Sequence, residues 1–416
     1  METTLPEYIS DLIREATEIK QAIVRTHEFM KHTKFSLSKA RLQRVHDCRN
    51  FIKYVYGEDA ETGETYSKPL RTETCGHRLC PGCQRADAIK DGIRLYTCLK
   101  YLQQEKHKRL IFMTLTTPNV VGSELKTTMR EMNRAYDKLM RRKQFLQFSS
   151  SVAKMEITYN AKANTYHPHL HVILVVDADY FDRTNADYLT HDQLLEHWRS
   201  VTNNSAITQV DIRAVKESVN ENEKDPFAKA VLELSKYTAK SYDYANYNQD
   251  VFDTFLTSLH GAKTLRVAGE LRMLVNVYDI DRWGLLDAYK PKSETFEDYD
   301  KKTVSTYNFK RKEYDTLLTD LTKDELAEVL RRERTGTYEE FRNEWKHLGM
   351  DFQQATFGLM EQNEQLARHK ASRQNKIVLA GTEAKIKTFK QRQQRLKRRL
   401  EVYKYIDDNL RDNFVY

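Results

Sequence analysis

Three histidines alternate with other residues in the run HPHLH, which leads directly into the apolar stretch VILVV. Residues two apart in a β-strand lie on the same face, so His167, His169 and His171 share one face while Leu170 lies on the other. Three imidazoles on one face are rarely part of a hydrophobic core, and imidazole is a common metal ligand. The pattern predicts a metal-binding strand; the alternative is an exposed histidine-rich strand that binds no metal.

A carboxylate is expected beside these histidines. If the polar segment NAKANT, residues 160–165, is the turn of a hairpin, paired positions sum to about 325 and Glu156 lies opposite His169. Glu156, His169 and His171 then form a cluster with open coordination positions, which suits a catalytic Mn²⁺ or Mg²⁺. His167 shares this face, so the choice among the three imidazoles stays open.

Four of the five cysteines are clustered in the sequence, at Cys48, Cys75, Cys80 and Cys83. Five cysteines are too few for a disulfide scaffold in a chain of 416 residues, and clustered thiols in a reducing compartment favour a metal. Four thiolates match a structural Zn²⁺ site, which leaves no coordination position open for chemistry. His77 is an alternative ligand, Cys98 is expected in the core, and unliganded reduced thiols are the competing interpretation.

A third set of chemically useful side chains lies in the segment 227–244. Glu233, Tyr237 and Lys240 are spaced i, i+4 and i+7, so a helix places all three on one face. A tyrosine hydroxyl is a poor nucleophile until a base or a cation assists it, and Glu233 is one turn away. Tyr244 falls on the same face and is the second candidate. Taken alone, such a stripe also fits an ordinary solvated helix.

The elements that must position these residues follow an α+β order. β-Branched and apolar runs predict strands at 109–117, 152–159, 166–176 and 207–215. Apolar periodicity predicts helices at 5–45, 86–104, 123–145, 190–201 and 226–241. From residue 109 onward, this order is that of a split β-α-β-β-α-β sheet. Beyond about residue 279 the strand pattern fades, and residues 293–335 and 338–416 are predicted to be mostly helical.

Positive charge is concentrated near the C-terminus. The formal net charge is +8, and between residues 366 and 400 twelve Lys or Arg residues accompany one acidic residue, Glu383. Such a segment binds a polyanion such as DNA, or it is a solvated helix. The positions that we single out for DNA binding are Lys385, Lys387, Lys390, Arg392, Arg395, Lys397, Arg398 and Arg399.

Length and hydropathy limit the class of protein. A chain of 416 residues is long enough for two or three domains. The apolar run 172–176 is too short to cross a bilayer, and the N-terminus lacks the features of a signal peptide. We expect a cytoplasmic protein without a membrane partner. We expect a helical and zinc-binding region at 1–104, a catalytic domain at 105–280, and a basic helical region at 281–416 that binds DNA or self-associates.

Three motifs, FMTLTTPNV, EITYNAKANTYHPHLHVILVV and ELSKYTAKSYDY, resemble those of the HUH endonucleases. The resemblance is to the single-tyrosine initiators of rolling-circle plasmid replication, in which an antiparallel ferredoxin- or RRM-like sheet carries the site. Cys48 followed by CGHRLCPGC is similar to the Cys-rich segment that precedes the first motif in that family. The resemblance covers about residues 40–275, and the last 140 residues or so match no motif.

The resemblance implies roles for Glu156 with its histidines and for the candidate residues of segment 227–244. His169, His171 and Glu156 look like the metal ligands and Tyr237 like the nucleophile. Glu233 is similar in placement to the glutamate that activates water in the terminating cleavage, and Lys240 would hold a phosphate.

The activity implied is nicking of one strand at a plasmid origin, which gives a 5′-phosphotyrosine link and a free 3′-OH primer. A second cleavage with strand transfer ends replication. The implied partners are origin DNA as duplex and single-stranded hairpin, a host helicase, a polymerase and a second copy of the chain. An HUH transposase or relaxase would use the same site, and a non-catalytic zinc-stabilised DNA-binding regulator is the alternative of another class.

Overall fold

The computed structural model describes residues 7–58, 65–182, 188–216, 225–235, 248–291, 301–318, 338–372 and 376–411. The strands, in chain order, are β1 (Phe51–Glu58), β2 (Thr65–Thr72), β3 (Arg109–Thr116), β4 (Ser150–Asn160), β5 (Thr165–Val176), β6 (Val210–Ala214), β7 (Leu265–Gly269), β8 (Lys301–Asn308) and β9 (Glu313–Leu318). The helices are α1 (Glu7–His32), α2 (Lys39–Asp47), α3 (Pro81–Glu105), α4 (Gly122–Leu139), α5 (His191–Thr202), α6 (Pro226–Ser235), α7 (Gln249–Leu259), α8 (Glu270–Ile280), α9 (Tyr338–Ala371) and α10 (Lys376–Asn409).

The chain folds into two compact units. The first contains Met1–Leu271 and Tyr289–Arg332, and the second contains Arg272–Ala288 and Glu333–Tyr416. The predicted division into a zinc-binding region (1–104), a catalytic domain (105–280) and a basic region (281–416) stays a prediction. The compact units group the chain differently, because strands from residues 51–72 and 301–318 belong to one sheet. In the part of the chain that is described, no helix has the length and apolar content needed to cross a bilayer.

A five-stranded antiparallel sheet carries the candidate site of the first unit. Its strands lie in the order β6-β3-β5-β4-β7. The first four form the split β-α-β-β-α-β arrangement expected from the sequence, so the α+β fold class is confirmed. The short strand β7 pairs with β4 at the edge and was not predicted.

The two faces of this sheet carry different helices. On one face, Met129 and Met132 of α4 belong to the same buried cluster as Leu170 and Val172 of β5. Because side chains alternate along a strand, Glu156 and His169 lie on the opposite face. Helix α6 packs against β4, β5 and α3.

A second sheet, in the order β2-β1-β8-β9, corrects one expectation. Residues 293–335 were expected to be mostly helical, but the described part of that segment, 301–318, forms the hairpin β8–β9. The polar sequence KKTVSTYN is a strand because it pairs along its whole length with β1, about 250 residues earlier in the chain. Helix α1 packs on this sheet through Ile13 and Ala16, next to Ile52 and Tyr54.

The second unit contains a long antiparallel hairpin of α9 and α10, which confirms the helices predicted between 338 and 416. Phe341 stacks on Tyr403 at one end, and His369 meets Thr382 at the other. Buried or half-buried side chains recur at alternating intervals of four and three residues, the repeat of a coiled coil. They are Phe341, Trp345, Leu348, Phe352, Ala355 and Leu359 on α9, and Ile386, Phe389, Gln393, Leu396, Leu400 and Tyr403 on α10.

Candidate active site

The turn between β4 and β5 fixes which residues face each other in the hairpin. The side-chain oxygen of Asn160 accepts hydrogen bonds from the backbone N–H groups of Lys162 and Ala163, which closes the turn locally. Glu156 consequently pairs with His169, as the sum rule predicted from the sequence. The register prediction is confirmed.

This register brings one carboxylate oxygen to two imidazole nitrogens. Oε2 of Glu156 lies 2.9 Å from Nε2 of His171 and 3.2 Å from Nε2 of His169. Glu156 is buried and both histidines are half-buried. Burial alone would raise the pKa of Glu156, but hydrogen bonds and positive charge from the two histidines hold that pKa well below its usual range. The carboxylate is therefore ionised at neutral pH.

The outer nitrogens of both histidines have partners of their own. Nδ1 of His171 lies 3.2 Å from Oγ1 of Thr114, and Nδ1 of His169 lies 3.3 Å from the carbonyl oxygen of His167. A cation bound beside Glu156 would replace the hydrogen on each Nε2. Each ring would then keep its hydrogen on Nδ1, where it is donated, and Nε2 would direct a lone pair toward the cation. Three lone-pair donors then converge on one point, an arrangement that a bound cation stabilises.

The ligand spacing fits a divalent ion. The three ligand atoms lie within 4.8 Å of one another. Neighbouring ligands of an octahedral ion with bonds of about 2.1 Å are about 3.0 Å apart, close to the separations measured from Glu156. Three protein ligands leave further positions open for water or a substrate phosphate oxygen. Glu156, His169 and His171 are therefore able to hold Mn²⁺ or Mg²⁺, and the distances do not choose between them.

His167 lies beside this group and outside it. Its ring centroid is 5.5 Å from that of His169, and its strand partner is Thr158. Burial lowers the pKa of His167, and the neighbouring His169 lowers it further. Of the three histidines on this face, the structure thus brings two to the carboxylate.

Helix α3 lies on the same side of the sheet as the three ligands, where its Asp91 approaches Lys154 of β4. Lys154, two residues before Glu156 on β4, lies 4.0 Å from the carboxylate of Asp91 on α3. Burial lowers the pKa of Lys154, whereas the nearby carboxylates of Asp91 and Asp87 raise it. Lys154 was not among the predicted site residues, although its spacing of two residues from Glu156 places it on the same face of β4.

Helix α6 packs beside α3 on this face. The two helices approach so closely that a Cβ atom at Gly92 would lie 3.2 Å from the Ser235 side chain. Glu233 is half-buried on α6. The other members of the third set, Tyr237, Lys240 and Tyr244, lie outside the described residues.

The four clustered cysteines meet in space. The Sγ atom of Cys48 is 3.8 Å from that of Cys83 and 3.6 Å from that of Cys80, and Cys75 is 3.6 Å from Cys83. A tetrahedral zinc ion with Zn–S bonds of about 2.3 Å sets its sulfurs about 3.8 Å apart. The backbone N–H of Gly76 also donates to Cys83. The cluster therefore fits a structural Zn²⁺ ion.

The start of α3 favours an ionised thiol at Cys83. Cys80 immediately precedes α3 and Cys83 lies in its first turn, where the helix dipole stabilises a thiolate. Hydrogen bonds from Cys48 and the other thiols hold the pKa of Cys83 well below its usual range. His77 is not in the group, and its Nδ1 accepts a hydrogen bond from the backbone N–H of Leu79. Cys98 is fully buried outside the group, as expected.

The basic positions singled out near the C-terminus all lie on α10, in the second unit. Each is exposed, because the heptad positions of that helix are occupied by other residues. They are Lys385, Lys387, Lys390, Arg392, Arg395, Lys397, Arg398 and Arg399.

We expect one equivalent of zinc in the purified protein, measured by elemental mass spectrometry. The variant Cys80→Ala should lose the zinc and unfold at a lower temperature, because it removes one of the four ligands. Cys98→Ala is the matched control and should keep the zinc, since Cys98 is a buried thiol outside the cluster. Wild-type protein with far less than one equivalent would contradict this assignment.

A second prediction concerns the three-ligand site. The variant Glu156→Gln should weaken Mn²⁺ binding by at least about tenfold in isothermal titration calorimetry, because a neutral amide replaces the ionised ligand. His167→Gln should bind Mn²⁺ like the wild type, since His167 lies outside the group. An equal loss in both variants would show that the ligand set is different.

Comparison with known proteins agrees with these features. A family model described as "Replication protein" (Rep_1) matches residues 67–315. A "Protein rep" from Staphylococcus aureus is 34% identical over 229 residues, which cover 55% of this chain and 93% of the relative. A "Protein rep" from Streptococcus pneumoniae is 27% identical over 253 residues, which cover 59% and 75% of the two chains. No solved structure matches the chain.

A longer alignment reaches further along the chain. A "Protein rep" from Lactiplantibacillus plantarum is 26% identical over 317 residues, which cover 73% of this chain and 95% of the relative. The match to the family model spans more than half of the chain and includes the whole β4–β5 hairpin with its carboxylate and histidines. The chain therefore belongs to the Rep_1 family of replication proteins.

Proposed function

We propose that this replication protein initiates rolling-circle replication of a plasmid by cutting one strand of the origin DNA. The observation that carries the proposal is the convergence of Glu156, His169 and His171 on one point of the β4–β5 hairpin. A cation held there by three ligands keeps positions free for the oxygens of a phosphodiester. The membership of the chain in a replication protein family names the substrate class.

The cutting step is a phosphoryl transfer to a tyrosine. The oxygen of Tyr237 attacks the scissile phosphorus, and the bond from phosphorus to the 3′-oxygen breaks. The products are a 5′-phosphotyrosine link and a free 3′-OH that primes a polymerase. A bound divalent ion supplies charge that stabilises the negatively charged transition state. Lys240, one turn after Tyr237 on the predicted helix, is proposed to hold a phosphate oxygen.

The terminating step uses the glutamate of the same helix. After one round of synthesis, Glu233 removes a proton from a water molecule that cuts the regenerated site. This cut breaks the bond from phosphorus to the 3′-oxygen and leaves a 3′-OH and a 5′-phosphate. The new 3′-OH then attacks the phosphorus of the phosphotyrosine link, which closes the circle and releases Tyr237 with its proton. The cycle consumes no ATP, because the two strand transfers exchange one phosphate ester for another and the water step hydrolyses one.

The remaining partners follow from the same cycle. We propose that the exposed basic side chains of α10 bind origin DNA, because eight cations on one exposed helix neutralise phosphates well. Extending the 3′ end requires a host helicase and polymerase, and a second copy of the chain is proposed as a further partner. Within this scheme, residues 1–104 form the zinc-binding region, 105–280 the endonuclease domain and 281–416 the basic region.

The nucleophile is tested by substitution. The variant Tyr237→Phe should lose all covalent attachment to an oligonucleotide that spans the nick site while keeping its affinity for it, because only the attacking oxygen is removed. Tyr244→Phe is the matched control and should form the adduct at the wild-type level. A denaturing gel measures the adduct. If Tyr237→Phe still forms it, another residue is the nucleophile, and if the wild type forms none, the protein is a non-catalytic DNA-binding regulator.

The base is tested by separating the two steps. The variant Glu233→Gln should make the first cut at a near-normal rate but accumulate the covalent complex, because water is no longer activated in the terminating cut. Supercoiled origin plasmid, followed by time-resolved gel analysis, shows both steps. Equal loss of the first cut and of release would instead assign Glu233 to both.

A further inference from the structure

A basic groove crosses the first unit on the side of α2 and α4. It consists of two adjoining cavities of about 450 and 260 Å³ that share His260 and Gly261. We call it the α2–α4 groove. None of the described residues that line either cavity is an aspartate or a glutamate. The groove is therefore a strongly positive concave surface.

Eight Lys or Arg residues line this groove. Arg78 donates to backbone carbonyl oxygens and Arg266 pairs with Asp137, and the other six come from three segments. They are Arg41 and Arg44 of α2, Lys126, Arg130 and Arg134 of α4, and Lys263 of the segment between α7 and β7. Five are exposed and Lys126 is half-buried. Within the described part of the chain, none of the six forms an ion pair, so their charges are available to a ligand.

The spacing on α4 suits an extended anion. Lys126, Arg130 and Arg134 follow one another at intervals of four residues, which is a rise of about 6 Å per step along one helix face. A row of cations about 12 Å long can contact successive phosphates of a nucleic acid backbone. A small phosphate ligand would need only one such position.

The composition of the groove favours a duplex over a single strand. Surfaces that bind single strands combine positive charge with aromatic rings on which unpaired bases stack. No Phe, Tyr or Trp is among the described lining residues of the two cavities. Helix α4 also packs on the sheet face opposite Glu156 and His169, so the groove is separate from the side where a strand would be cut.

The cysteine loop supports one wall of the groove. The guanidinium of Arg78, two residues before Cys80, donates hydrogen bonds of 2.6 and 2.8 Å to the carbonyl oxygens of Leu259 and Ala262. These bonds connect the loop of the metal centre to the turn that carries Lys263. Arg78 thus connects the loop of the cysteine cluster to the wall of the groove that carries Lys263.

We propose that the α2–α4 groove binds the phosphate backbone of duplex DNA without reading its sequence. Only the identification of this duplex as origin DNA rests on the proposed function. It places duplex contacts on the first unit, in addition to those proposed for α10. A duplex held on one side of the sheet would keep the adjoining unpaired strand near the metal site on the other.

The double variant Arg130→Gln, Arg134→Gln tests the groove. Affinities for a B-form duplex of arbitrary sequence and for its single strand are measured by fluorescence anisotropy between roughly 50 and 200 mM salt. The slope of log K against log salt concentration for the duplex should fall by about two, because each lost phosphate contact removes about 0.9. Single-strand binding should be unchanged.

The matched control is Arg141→Gln, Lys143→Gln, which removes two positive charges from the loop after α4, outside both cavities. This control should keep the wild-type slope, and circular dichroism should show both variants folded. Equal slopes in the groove variant and the control would overturn the proposal. Loss of single-strand binding in the groove variant, to the same degree as duplex binding, would also overturn it.

A further readout separates this proposal from the proposed function. The groove variant should still form the covalent adduct on a single-stranded oligonucleotide, because Arg130 and Arg134 lie on the other side of the sheet. Loss of the adduct together with duplex binding would contradict the separation of the two surfaces. If the wild type forms no adduct at all, the proposed function fails. The salt slopes would still show whether the α2–α4 groove binds duplex DNA.

Discussion

One carboxylate oxygen of Glu156 lies within hydrogen-bond distance of Nε2 atoms from both His169 and His171, and the rest of the site depends on this convergence. Lone pairs that meet in a half-buried place repel one another unless a proton or a metal ion lies between them. The arrangement exists only because β4 and β5 pair in one register. A slip by one residue would turn Glu156 to the α4 face and leave the histidines without it.

The two clusters of metal-binding side chains organise different parts of the first unit. The cysteine cluster joins the end of α2 to the start of α3 and, through Arg78, to the turn before β7. A zinc ion bound by all four cysteines would have no open coordination position, so this cluster stabilises the fold of the segments that it joins. An ion held by Glu156 and the two histidines would keep coordination positions open, which the proposed cutting step requires. The central sheet separates the chemical face from the basic groove.

Local patterns in the sequence predicted the hairpin and the cysteine cluster, because a short turn and a Cys-x4-Cys-x2-Cys spacing fix geometry over a few residues. Contacts between distant segments were not predictable in this way. Strand β8 is polar and pairs along its whole length with β1, about 250 residues earlier in the chain, and β7 spans just five residues. The basic groove was not predictable from the sequence, because Arg130 and Arg134 lie on α4 among acidic residues such as Glu131. The cations between residues 376 and 400 of α10, in contrast, form a dense run with one acidic residue.

The central claim is that Glu156, His169 and His171 hold the ion that activates the scissile phosphate. Anomalous scattering from crystals of the full chain grown with Mn²⁺ tests this claim most directly. We expect an anomalous peak bonded to a carboxylate oxygen of Glu156 and to Nε2 of both histidines. Manganese bound elsewhere, with no histidine nitrogen in its coordination shell, would contradict it.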